Sequence, residues 1–139
     1  MSWLLDTCLI SEPRRKRPDA GVLEFREREA SGEMYLSVVT VGEIEKGIEL
    51  LPDAGRRRAT RAWLAELEGL FEGRILPFDA AVSKRWGRMV GGLQRRGIRL
   101  SAIDSLIAAT ALRHDLTVVT RNVADIGPSG ARVHSPWRG

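Results

Sequence analysis

Leu4-Leu5-Asp6-Thr7 stands at the head of the chain, and its reading decides the fold. A short apolar run ends in a carboxylate, and a helix-like segment follows at once. Residues 3–6 read as a buried strand, and Cys8 to Glu12 as a helical turn stopped by Pro13. In an open α/β sheet, ligands sit outside the carboxyl ends of the strands. A carboxylate at that position suits a metal ion, provided that other parts of the chain bring partners to it.

The rest of the chain alternates helices with strands. Asp19 is placed to cap a helix through about Ala30, which Ser31-Gly32 ends. Met34 to Val39 is a strand rich in β-branched and aromatic residues. Thr40 then caps a helix through Leu51, with Ile44, Ile48 and Leu51 on its apolar face. Pro52-Asp53-Ala54-Gly55 is a turn. From about Arg56 to Glu72, the stripe Trp63, Leu64, Leu67, Leu70 and Phe71 marks an amphipathic helix, facing either the core or a partner. These two helices, at about 40–72, are expected to form a hairpin arm. Arg74 to Phe78 is a third strand, and Asp79 caps a helix to about Arg96 that Gly97 ends. Its inward residues are Val82, Trp86, Met89, Val90 and Leu93. Ser101 starts another helix, through about His114. Thr117 to Thr120 is a strand, Arg121 to Gly130 a loop, and Ala131 to His134 a last short strand. Strands separated by helices predict an α/β fold with a parallel sheet covered on both faces.

At 139 residues the chain is expected to form one domain, residues 1–139, large enough for a real core. Its 43% hydrophobic and 29% charged residues match a soluble globular chain, and no apolar run suits a bilayer span. Asp6 and the basic cluster after Glu12 do not fit a signal peptide, so a cytoplasmic protein is expected. The single Cys8 excludes an internal disulfide. The net charge is +4 and the pI about 10.0, with Lys only at positions 16, 46 and 84. Arginine suits phosphate recognition, although an Arg-rich genome gives the same composition. Arg14-Arg15-Lys16-Arg17 lies between two prolines, either as a phosphate-binding loop or as ordinary solvated surface.

Asp6, Glu43 and Asp104 are far apart in sequence, yet this architecture brings them to one sheet edge. Asp6 ends a strand, and the two other acids are expected in the first turns of helices. Thr40-Val41-Gly42-Glu43 and Ser101-Ala102-Ile103-Asp104 also fit the capping box or its Asp variant, so capping alone explains either acid. It does not explain Asp6. Gly42 and Gly47 flank Glu43, and Gly47 inside a helix costs about 1 kcal/mol relative to Ala, which close packing or access justifies. Asn122 and Asp125, after the fourth strand, offer a further oxygen ligand at the same edge, or are simply loop residues. Clustered carboxylates need a cation, and oxygen-only ligation suits Mg²⁺ or Mn²⁺. Such ions activate water and steady phosphate charge, so phosphodiester hydrolysis is the expected chemistry.

Four segments then resemble the motifs of PIN-domain ribonucleases, the toxin halves of bacterial toxin–antitoxin pairs. They are Leu5-Asp6-Thr7-Cys8-Leu9-Ile10-Ser11-Glu12, Ser37-Val38-Val39-Thr40-Val41-Gly42-Glu43, Asp104-Ser105-Leu106-Ile107-Ala108-Ala109-Thr110-Ala111 and Thr117-Val118-Val119-Thr120-Arg121-Asn122. Gly73 to Asp79 and the closing Pro136-Trp137 resemble the FitB branch of the VapC group. The resemblance implies a three-layer α/β/α fold around a parallel sheet of about five strands. It implies a Mg²⁺- or Mn²⁺-dependent endoribonuclease with Asp6, Glu43 and Asp104 as core acids, and Asn122 or Asp125 completing the metal site. It also implies a homodimer and a cognate antitoxin whose tail enters the acidic groove, with operator DNA bound only through the antitoxin. Cys8 stands where the family commonly has Asn, and Asn122 where it often has an acid.

The rival readings are weaker. A phosphoacceptor domain built on Asp79 lacks the acid pair and the lysine. A haloacid-dehalogenase-like phosphatase needs a second Asp where Cys8 stands. A hydrolase using Cys8 with His114 or His134 has no signature. The strongest alternative is a non-catalytic RNA- or antitoxin-binding protein on the same fold, with a weakened metal site.

Overall fold

Trp3, Leu4 and Leu5 are all buried, which a strand achieves only when both faces of its sheet are covered. A computed structural model describes residues 1–139. In chain order the elements are β1 (Trp3–Leu5), α1 (Thr7–Ser11), α2 (Ala20–Arg28), β2 (Met34–Ser37), α3 (Val38–Glu49), α4 (Ala54–Leu70), β3 (Ile75–Leu76), α5 (Ala80–Arg95), α6 (Ala102–His114), β4 (Thr117–Val119), α7 (Val123–Ile126) and β5 (Val133–His134). The five strands form one parallel sheet in the order β3-β2-β1-β4-β5.

Alternation along the strands divides the core into two layers. Trp3, Leu5 and Val119 face one side with Val22 and Phe25 of α2, Ile44 and Ile48 of α3, and Leu64 and Leu67 of α4. Leu4 and Val118 face the other, against Ile107, Ala108 and Ala111 of α6. This is the expected three-layer α/β/α arrangement. The small residues of α6 let that helix lie close on the sheet. Helices α3 and α4 pack on each other and both feed the first layer; Arg61 of α4 bridges Glu45 and Glu49 of α3. Within the amphipathic stripe, Leu64, Leu67 and Phe71 are buried, whereas Leu70 is 68% exposed.

Side-chain caps set most helix starts. Asp19, Asp79 and Ser101 accept amide hydrogens at the predicted positions, each worth about 1 kcal/mol. Three expectations fail. Ser37 rather than Thr40 caps α3: its hydroxyl accepts from the Val39 amide at 3.0 Å, ending the strand two residues early. Asp53 caps α4, so that helix begins inside the predicted turn. The expected loop from Arg121 to Gly130 contains α7, too short to carry a helical periodicity, and a 3-10 turn at Gly127–Ser129.

Candidate metal centre and nucleic-acid interface

The strand order places the topological switch at β1. The chain steps outward from β1 to β2 and β3, then crosses back to β4 and β5 on the other side. The crevice at such a point, outside the carboxyl ends of the strands, is where open α/β sheets bind ligands. Leu5 pairs with Val119, so Asp6 and Thr120 leave the sheet side by side.

Asp6 is only 7% exposed. Its Oδ1 accepts from the Thr7 amide at 2.8 Å, and its Oδ2 accepts from the Thr120 hydroxyl at 2.7 Å. Asp6 is thus the N-cap of α1, correcting the expectation that capping has no part in its role. The Cys8 thiol lies 3.7 Å from Oδ2 of Asp6 and 3.5 Å from the Thr120 hydroxyl. Burial pushes the thiol above its ordinary value; the Arg121 amide and Thr120 oppose the rise, and the Asp6 charge adds to it. A thiol held protonated is a weak donor rather than a nucleophile. Neither histidine contacts it: His134 packs against Trp3 and Phe25, and His114 ends α6.

Glu43 lies in the second turn of α3, because that helix starts at Val38. Its carboxylate therefore caps nothing, and the capping-box reading fails here. Instead the Thr7 hydroxyl donates to Oε1 at 3.2 Å. Burial raises the Glu43 pKa; the Thr7 hydrogen bond opposes this, and the charges of Asp6 and Asp104 raise it further. Asp6 and Asp104 are thus both within electrostatic reach of Glu43. Asp104 lies in the first turn of α6 and does take part in a cap: Ser101 Oγ donates to its Oδ2 at 2.8 Å and accepts from its amide at 3.2 Å.

Asn122 precedes α7, and its side chain makes no capping bond. Its amide donates to the Thr120 hydroxyl at 3.1 Å, which ties it to the oxygen that anchors Asp6. Asp125 lies in the first turn of α7, exposed, with its amide bonded to the Asn122 carbonyl. Asp79 caps α5 at the sheet's edge strand, away from the switch point. Sequence reasoning missed Thr7 and Thr120 as parts of the site. The only signal was a hydroxyl residue one or two positions after an apolar strand, a pattern shared by many threonines.

The donor set is chemically apt for a hard cation: carboxylates, with Asn122 on the loop after β4. Such an ion would neutralise the charges of Asp6 and Asp104, which add to the effect of burial on Glu43. As the side chains stand, no three His, Cys, Asp or Glu groups converge tightly enough to hold an ion. The hydrogen bonds from Thr120, Thr7 and Ser101 hold the acids in their present positions.

Beside Glu43 a groove of about 530 Å³ runs between α1 and the α3–α4 pair. Thr7, Glu43 and Gly47 line one part, and Arg14, Arg15, Arg56 and Trp63 another. Arg14 lies over the Trp63 ring at 4.3 Å, and Arg15 pairs with buried Glu12. A Cβ on Gly42 or Gly47 would meet nothing within 4 Å, so close packing does not explain these glycines, and Gly47 lies in the groove lining. Glu12 also accepts from the Trp137 indole and the Asp19 amide, each at 3.1 Å, which fastens the C-terminal segment to the first motif.

Residues 3–124 match the family model described as the PIN domain. The chain is 36% identical over 135 residues to the toxin FitB of Neisseria gonorrhoeae, covering 96% of this chain and 97% of that protein. It is 34% identical over 136 residues to the VapC ribonuclease Y4jK of Sinorhizobium fredii, covering 96% of each. Among solved structures, FitAcB from Neisseria gonorrhoeae superposes with a TM-score of 0.92 at 35% identity, over 99% of both chains. The FitAB complex bound to an IR36 DNA fragment superposes at 0.91 and 33% identity, over 99% of this chain and 96% of that one.

Proposed function

This chain belongs to the PIN-domain family, and from that premise we propose that it is an endoribonuclease, the toxin of a type II toxin–antitoxin pair. One observation carries the reading: Glu43 feels the charges of both Asp6 and Asp104 at the switch point of a parallel sheet, where they add to the effect of its burial. Asp6, Glu43 and Asp104, with Asn122 and Asp125 as further oxygen donors, would hold Mg²⁺ or Mn²⁺. When bound, such an ion activates water and offsets phosphate charge during in-line displacement. Thr120 fixes Asp6 through Oδ2, and Thr7 holds Glu43 through Oε1. Arg14, Arg15 and Arg56 surround the groove beside the acids with positive charge suited to an anionic strand.

The same groove is the seat proposed for the tail of a cognate antitoxin, since related toxins were solved as FitAB complexes. Operator DNA is then contacted through the antitoxin. The working form is proposed to be a cytoplasmic homodimer; no helix is long and apolar enough to cross a membrane.

RNA cleavage tests the reading. Purified protein is expected to cut RNA with Mg²⁺ or Mn²⁺ and to stop with EDTA, and Asp6→Asn or Asp104→Asn is expected to abolish cutting with the fold intact. Cleavage that survives both substitutions, or needs no metal, refutes the mechanism. A non-catalytic binding protein is the second reading, favoured by the lack of a tightly convergent acid triad. Antitoxin binding without any metal-dependent cleavage would select it.

A further inference from the structure

The chain's positive charge is not spread evenly. From Ala80 to Ile103 there are six basic residues, Lys84, Arg85, Arg88, Arg95, Arg96 and Arg99, and no acid. The rest of the chain holds 16 of the 22 basic residues and all 18 acids, so its net charge is slightly negative. All six side chains are exposed, and none donates a hydrogen bond or forms an ion pair. Several arginines elsewhere are occupied: Arg61 pairs with Glu45 and Glu49, Arg132 with Asp115, Arg138 with Glu24, and Arg74 caps carbonyls of Ser31 and Met34.

The geometry gathers three of these cations along one groove. Arg85 and Arg88 on α5 and Arg96, its C-cap, fall on one side of the helix, spanning about 16 Å at 1.5 Å per residue. With Pro128, Ser129 and Gly130 they line a groove of about 600 Å³ that contains no acid. Gly92 lies on the same face, and a Cβ there would meet nothing within 4 Å, so no packing within the chain requires it. The bare backbone at Gly92 lets a chain lie close between the arginines. The helix is also joined to the acid site. Trp86 donates its indole hydrogen to Ser105 Oγ at 2.9 Å, next to Asp104.

We propose that the groove of Arg85 and Arg88 on α5 and Arg96 at its C-terminal cap binds the phosphate backbone of single-stranded RNA, as a second contact outside the acidic centre. This rests on the ribonuclease reading for the identity of the ligand. The arginines act as positioning residues: they hold a length of RNA whose continuation reaches the acids. A recognition surface of unpaired, exposed arginines with no competing carboxylate binds phosphate through released counterions, and its strength falls with salt.

The test uses full-length Asp6→Asn protein in EDTA, so that binding is read without cleavage. Anisotropy of a labelled single-stranded RNA is followed across salt concentrations. Arg85→Gln, Arg88→Gln and Arg96→Gln together are expected to reduce the log–log salt slope by about 2, given roughly 0.7 per phosphate contact. Lysine at the same three positions is expected to restore most of the slope. A charge-matched triple change elsewhere, Arg26→Gln, Arg28→Gln and Arg113→Gln, is expected to leave it nearly unaltered. Equal slopes for the groove variant and the unsubstituted groove overturn the proposal, as does an equal loss in the charge-matched control. Unchanged RNA binding with weakened capture of the antitoxin also overturns it, and assigns the groove to an acidic protein surface. A wild-type protein that binds RNA through this groove but never cuts it refutes the ribonuclease reading and leaves the groove assignment standing.

Discussion

Replacing Thr120 with Val removes one buried hydroxyl and keeps the side chain's shape. That hydroxyl donates to Oδ2 of Asp6 at 2.7 Å and accepts from the Asn122 amide at 3.1 Å. The first bond runs to a charged group and contributes about 1.5–3 kcal/mol. Asp6 is 7% exposed, so water replaces that donor poorly. The second is neutral, about 0.5–1.5 kcal/mol, and Asn122 is exposed, so water recovers most of it. The expected loss is therefore about 2 kcal/mol at neutral pH, most of it from the first bond. For a chain of this size that lowers Tm by roughly 6–8 °C. Urea denaturation of Thr120→Val, Thr120→Ser and Asp6→Ala, with the Thr120→Val/Asp6→Ala double variant, measures it. Thr120→Ser is expected to stay near wild type, and the cycle to show a coupling of about 1–2 kcal/mol. A coupling near zero, or equal loss from Val and Ser, would show that Thr120 does not anchor Asp6.

Glu43 binds its proton more tightly in the folded chain than an ordinary carboxylate does, so the native state holds more protons across that window. What protonation contributes is present below the ordinary range and lost as pH rises through the raised folded value. In EDTA, Glu43→Gln is thus expected to raise stability near pH 7 and change little near pH 3; thermal melts at both values decide it. Leu67→Ala in α4 is expected to cost about 2–5 kcal/mol, and Leu70→Ala under about 0.5 kcal/mol. Equal small costs by urea titration would make α4 a free arm rather than part of the core. Gly47→Ala is expected to stabilise α3 by about 0.5–1 kcal/mol, since its Cβ has open space. Loss of stability on that substitution would return Gly47 to close packing.

Chain-local physics was legible from the residues. Asp19, Asp79 and Ser101 mark helix starts because a cap depends on two or three neighbouring amides. The central strands are visible because burial on both faces demands continuous apolar runs, as in Leu4-Leu5 and Val118-Val119. Where two local solutions compete, sequence did not choose. Ser37 and Thr40 are both good caps, and Ser37 wins because β2 ends there, opposite Leu76 of β3. That shift moves Glu43 out of the first turn and leaves capping no claim on it.

Asp6, Glu43 and Asp104 were identifiable as candidates from residue type and position alone, since a strand end and the helix beginnings beyond strand ends share one sheet edge. Their meeting is a tertiary fact. Asp6 and Thr120 stand 114 residues apart and meet only because β1 pairs with β4 in the register Leu5 to Val119. Thr7 finds Glu43 only through the packing of α1 on α3. Hydrogen bonds between side chains so distant in sequence leave no periodicity and no local pattern. The candidate acids could therefore be read from the chain, whereas the hydroxyls that hold them in place appear only once the sheet is assembled.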